Sequence, residues 1–139
     1  MINTVNTSLK QVPALVKSPL FLEYIKSYDF IRLLNFGCGK YEGLAYGYIR
    51  NVCPSCYIEA YDPNIQGKHG VISNLSDVSC VPDCVFCANV LNVVRGDEVH
   101  TTIRQLLTLR DEGSSAIFFN VCEGDRSGVC KETTKGHQR

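Results

Sequence analysis

The sequence has no run that approaches the ~18 apolar residues of a membrane-spanning helix. Its N-terminus, MINTVNTSLKQVPALVKSPL, lacks the basic start and unbroken apolar stretch of a secretory signal. It contains no internal repeat and no low-complexity tract. Nor is there an excess of charge of either sign, because 14 Lys and Arg balance 14 Asp and Glu. The total therefore gives no argument for a nucleic-acid partner, although a local basic patch fits within a neutral sum. These absences predict a soluble, cytoplasmic protein.

What is present is ordinary for a folded domain. The 139 residues are 45% hydrophobic and 20% charged, enough to bury one real core. The expectation is a single domain over 1–139, with an N-terminal helical segment over 1–29 and a polar tail over 123–139. Eight cysteines are many for this length. Without a secretion signal they read as reduced thiols rather than a disulfide framework. Two CxxC pairs occur, Cys53–Cys56 and Cys84–Cys87, separated by 27 residues. That spacing is long for a zinc ribbon, and the second pair lies in an apparent strand, where residues three apart face opposite sides. The expectation is no metal site, with zinc kept as a minor alternative.

Elements alternate along the chain. Ser18-Pro19 reads as an N-cap and first helical residue, followed by a short helix with Leu20, Phe21, Tyr24 and Ile25 on one face. Phe30–Phe36 is a nearly continuous apolar run that predicts a strand buried on both faces. A helix is expected over Tyr41–Arg50, with Leu44, Ala45, Tyr48 and Ile49 at helical spacing. Strands are expected at Tyr57–Tyr61, Gly70–Ser73, Asp83–Asn89 and Ser115–Cys122. Asp97 opens a helix through Arg110, with Val99, Ile103, Leu106, Leu107 and Arg110 facing the core. Glu123–Arg139 reads as a loop. The alternation predicts an α/β fold: a Rossmann-like, doubly wound, mostly parallel sheet flanked by helices.

The chemistry concentrates at strand ends, where such sheets bind ligands. Gly37-Cys38-Gly39 follows the first expected strand and precedes a helix. A sharp turn there needs glycine, and the missing side chains let a ligand approach the backbone. The third glycine, Gly43, stands one position later than G-x-G-x-x-G requires, so the turn alone is a weak signal. Asp62 ends the next strand, 23 residues beyond Gly39. A carboxylate at that place can accept both hydroxyls of a ribose, although a turn Asp before Pro63 is the ordinary alternative.

With these residues in hand, the chain resembles the class I S-adenosylmethionine-dependent methyltransferases over residues 30–122. LLNFGCGKYEG is similar to their first motif, YIEAYDPN to their second-strand segment, and DCVFCANVLNVV to their fourth-strand segment. The pairing of Y-D-P with A-N-V-L-N-V resembles bacterial and phage proteins assigned as methyltransferases, including those associated with DNA phosphorothioation systems. The resemblance implies S-adenosylmethionine as cofactor and S-adenosylhomocysteine as product. It implies that Gly37, Cys38 and Gly39 surround the donor's amino-acid moiety and that Asp62 holds its ribose. Asn74 and Leu75 would lie near the adenine, and Asn89 would face the reactive end. Asn89, and after it Asn92, are the candidates to orient an acceptor.

Two departures stand out. Asn35 occupies a position that is often acidic in the family, and the chain stops soon after the fifth strand. Family members usually continue through another helix and an antiparallel strand pair, so the expectation is a fold that lacks this pair: a minimal protein, a truncated one, or one completed by a second copy or a partner subunit.

Methyl transfer is an in-line displacement that depends mainly on positioning, and a charged acid–base pair is not obligatory. Asn89-Val-Leu-Asn92 is not the N-P-P-Y type of segment that grips a flipped adenine. The acceptor, nucleic acid or small molecule, is left open. Lys40 and Tyr41 border the turn, either as site residues or as solvated first-turn residues. His69, His100 and His137 read as surface residues. Arg126, Lys131, Lys135 and Arg139 make the tail mildly basic, which fits a solvated loop or a phosphate-contacting flap. Besides the enzyme, a reduced methyltransferase fold that binds the nucleoside or a partner without catalysis remains a second reading.

Overall fold

In a computed structural model of the chain, the described residues are 10–88, 98–111, 113, 116–120, 131–133 and 136–138. The elements run α1 (Pro19–Lys26), β1 (Arg32–Phe36), α2 (Glu42–Val52), β2 (Tyr57–Tyr61), β3 (Val71–Ile72), β4 (Cys84–Ala88), α3 (Val99–Asp111), β5 (Ala116–Asn120), β6 (Lys131–Thr133) and β7 (Gly136–Gln138). Two 3-10 turns, Ala14–Lys17 and Leu75–Asp77, supplement them.

The first five strands form one parallel sheet in the order β3-β2-β1-β4-β5. This is the Rossmann-like α/β arrangement that the alternating pattern predicts. β1 and β4 are buried almost throughout, which is why both read as unbroken apolar runs. Their side chains alternate between two cores. Leu33, Cys84 and Phe86 join Phe21, Ile25, Ala45 and Ile49 on one face. Leu34, Val85 and Cys87 join Phe36, Tyr61, Leu106 and Leu109 on the other. Cys84 and Cys87 therefore lie on opposite faces of the sheet and cannot converge on one ion. Among the described residues, no group of three or more His, Cys, Asp or Glu side chains could hold a metal.

Helix α1 starts as its sequence suggests, with Ser18 as N-cap and Pro19 at the first position. Its buried stripe is narrower than expected. Phe21 and Ile25 are fully buried, but Leu20 is 70% exposed. Phe21 packs on Phe86 of the sheet with ring centroids 5.3 Å apart, and the half-buried Tyr24 packs on Phe118 of β5 at 5.3 Å.

Helix α3 also departs from its reading. Thr102, Leu106 and Leu109 are buried, while Ile103 and Leu107 are 38% and 41% exposed. Thr102 can face the core because its hydroxyl donates to the Glu98 carbonyl at 3.1 Å, leaving a methyl group for packing. That shifts the buried stripe away from Ile103. The expected cap, Asp97, lies outside the described residues.

The tail is not simply a loop. β6 and β7 pair antiparallel, with Lys131 opposite Gln138 and Thr133 opposite Gly136. Strands of three polar residues carry no alternation long enough to read in sequence. This pair is a separate two-stranded sheet and does not extend the parallel one.

Candidate functional site

The carboxyl ends of β1 and β2 meet at the glycine turn. Gly37 and Gly39 have φ of 71° and 70°, a region in which a side chain would be strained. The chain leaves β1 through these residues and enters α2 at Glu42, with Tyr41 as N-cap. Three successive main-chain N–H groups of the turn point at the end of β2. Those of Gly37 and Cys38 donate to the Tyr61 carbonyl at 2.8 and 3.0 Å. That of Gly39 donates to Asp62 Oδ2 at 3.0 Å.

Asp62 is fully buried at 0% exposure. Its Oδ1 accepts from the Asn64 N–H at 2.9 Å, and its own N–H donates to the Ile72 carbonyl of β3 at 2.9 Å. The carboxylate thus holds the turn, the β2 end and the start of the β2–β3 loop in one arrangement. Bonds from backbone donors to an ionised acceptor are the strong kind. A ribose can reach these oxygens only after a local rearrangement, because the residue has no exposed surface.

Cys38 donates its thiol to the Gly39 carbonyl at 3.3 Å. Burial, first, and then the carboxylates of Asp62 and Glu42 push this thiol far above its usual range, against a smaller opposing pull from Lys68. It stays protonated at neutral pH and is a poor nucleophile. Asn35 is buried at 6% exposure in β1, in register with Ala60 of β2 and Phe86 of β4. A neutral amide there avoids burying a second charge close to the β2 end.

Lys68 is a residue that sequence reasoning missed. Its Nζ donates to Glu42 Oε2 at 2.7 Å and to the Lys40 carbonyl at 2.8 Å. The β2–β3 loop is thereby tied across the glycine turn to the first turn of α2. Gly67 and Gly70, with φ of 71° and 86°, bracket the tie. The two glycines were its only sequence signal. Lys40 stacks its ammonium 5.3 Å from the Tyr41 ring centre.

The structure brings Gly37, Cys38, Gly39 and Asp62 together. Asn74 and Leu75 lie at the 3-10 turn that follows β3. Asn74 Oδ1 accepts from the Ser76 N–H at 3.0 Å and the Ser76 hydroxyl at 2.9 Å, capping the 3-10 turn. Leu75 packs on the second core and lines a groove of about 440 Å³ between the Leu75–Pro82 segment and α3, with Thr108 and Leu109 on its far wall. No residue of the glycine turn lines that groove. Asn89 and Asn92 lie outside the described residues. His69 and His100 are exposed, as expected of surface residues.

Among the described residues, no helix is long and apolar enough to cross a membrane. No protein-family model and no curated protein sequence matches the chain.

Proposed function

We propose that the chain binds S-adenosylmethionine at the carboxyl ends of β1 and β2 and transfers its methyl group to an acceptor held nearby. The observation that carries this reading is the 3.0 Å bond from the Gly39 N–H to Asp62 Oδ2. It makes the glycine turn and the strand-end acid one unit beside the switch in strand order between β1 and β4, where open parallel sheets take nucleosides. The open backbone of Gly37 and Gly39 fits a donor's amino-acid moiety, and the carboxylate of Asp62 has the chemistry to accept from a ribose once its cover moves. The bound donor supplies an electrophilic methyl on a sulfonium. The chain's part is to bind, orient and exclude water. Asn89 and Asn92 remain the candidates to orient the acceptor, a nucleic acid or a small molecule.

A nucleoside-binding module without transfer is favoured by one set of observations. Asp62 spends both oxygens on backbone N–H groups, Asn35 is neutral, and Cys38 is held as a thiol, so none of the three is placed to act as a base. Incubation with donor labelled on the methyl group, against separate pools of DNA, RNA, protein and small metabolites, decides between them. Label in one pool supports the enzyme. Label in none, with binding intact, supports the module. Sizing by light scattering tests whether a second copy completes the protein.

A further inference from the structure

Cys53-Pro54-Ser55-Cys56 connects α2 to β2 as a hydrogen-bonded turn, in which the Cys56 N–H donates to the Cys53 carbonyl at 3.2 Å. Pro54 stands at the second position, where its fixed φ is favoured. A turn of this kind holds its first and fourth Cα atoms less than ~7 Å apart, and a disulfide spans about 4.4–6.8 Å. Cys53 and Cys56 are 7% and 2% exposed, and both pack into the core that contains Ala45 and Ile49. The thiols are near enough to act on one another. Burial, first, and then Cys53 push the Cys56 thiol above its usual range, against the pull of the Arg50 guanidinium. That guanidinium also donates to the Cys56 carbonyl at 2.7 Å.

The second CxxC pair has the same spacing and the opposite geometry. Cys84 and Cys87 lie in β4, where three steps of extended chain separate Cα atoms by about 10 Å. They sit on opposite faces of the sheet and cannot be bridged while the strand is intact.

We propose that Cys53 and Cys56 are a disulfide-forming pair, closed by exchange with a small-molecule disulfide such as oxidised glutathione. Cys53, the less buried of the two, attacks first as a thiolate. Its sulfur bonds to one sulfur of the small molecule and expels the other. The Cys56 sulfur, deprotonated in turn, attacks the Cys53 sulfur and displaces the second small thiol. The protein loses two S–H bonds and gains one S–S bond. The small-molecule disulfide is reduced to two thiols, which take up the two protons. The bridge ties the end of α2, the helix that leaves the glycine turn, to the start of β2.

The test equilibrates the native protein, and the same protein unfolded in urea, in glutathione buffers of graded oxidised-to-reduced ratio. Samples are quenched in acid, alkylated and digested with trypsin. Cleavage after Arg50 and Lys68 releases one peptide that carries Cys53, Cys56 and no other cysteine. The bridged form of that peptide takes no alkyl group and is two hydrogens lighter than the dithiol. Burial slows exchange without moving its endpoint, so readings are taken once they are constant in time. The equilibrium constant for closing Cys53–Cys56 should be roughly 10–30-fold larger in the native protein than in urea, the chain-entropy worth of so short a loop. The Cys84–Cys87 bridge should show the reverse order, forming in urea and not in the native protein.

An equilibrium constant for Cys53–Cys56 no larger in the native protein than in urea overturns the inference. So does a native bridge from either cysteine to a third, or a glutathione adduct on Cys53 that never closes.

Discussion

Asp62→Asn is expected to loosen the glycine turn. The native carboxylate accepts two backbone donors, Gly39 N–H at Oδ2 and Asn64 N–H at Oδ1. An amide of the same shape keeps one oxygen and turns an NH2 toward the other donor. One charge-assisted bond, worth about 1.5–3 kcal/mol, is lost, and a buried N–H is left unsatisfied at a further ~1–3 kcal/mol. Burying a neutral group instead of a charge offsets part of this. A net cost of about 2–3 kcal/mol follows. For a chain of 139 residues it corresponds to a melting temperature lower by roughly 6–12 °C. The chain has no tryptophan, so circular dichroism at helical wavelengths is the suitable probe. A variant melting within about 1 °C of the wild type would refute the claim that this carboxylate pins the turn.

Other outcomes follow from the same structure. Leu106→Ala should cost about 2–5 kcal/mol in urea unfolding and Leu107→Ala under about 1 kcal/mol, since Leu106 is buried and Leu107 is 41% exposed. Equal costs would contradict the buried stripe of α3. Stability should fall as pH rises above 9.0, the usual thiol value. Burial, with the Asp62 and Glu42 carboxylates, raises Cys38, and burial, with Asp83, pushes Cys84 up to about 12. Both thiols keep their protons in the folded state while the unfolded chain loses them, so folding weakens by about 1.4 kcal/mol per pH unit for each. Melting scans from pH 8 to about 10.5, set against a variant with both cysteines replaced by alanine, measure this; a flat wild-type profile is the contrary result. Brief alkylation of the native protein, read by peptide mass spectrometry, should mark Cys80, which is exposed, well before the buried Cys53, Cys56, Cys84 and Cys87.

The parallel sheet was legible because strands buried on both faces leave unbroken apolar runs, as in Phe30–Phe36 and Cys84–Ala88. The glycine turn and Asp62 were legible because each has a backbone or charge requirement that few residues meet. The side-chain details were not. Thr102 buries itself by bonding its own helix, which no hydrophobic pattern registers. Lys68 meets Glu42 across 26 residues of sequence, so its tie depends on the folded loop. The β6–β7 pair was missed because three polar residues per strand leave no period to detect.

The central claim is that the turn at Gly37–Gly39 and the acid at Asp62 form a donor-binding site. Thermal melting with and without S-adenosylhomocysteine tests it most directly. At 1 mM ligand, a site with a dissociation constant near 10 μM should stabilise the fold by about 2.7 kcal/mol, a rise of roughly 8–12 °C. An unchanged melting temperature at that concentration would contradict the account.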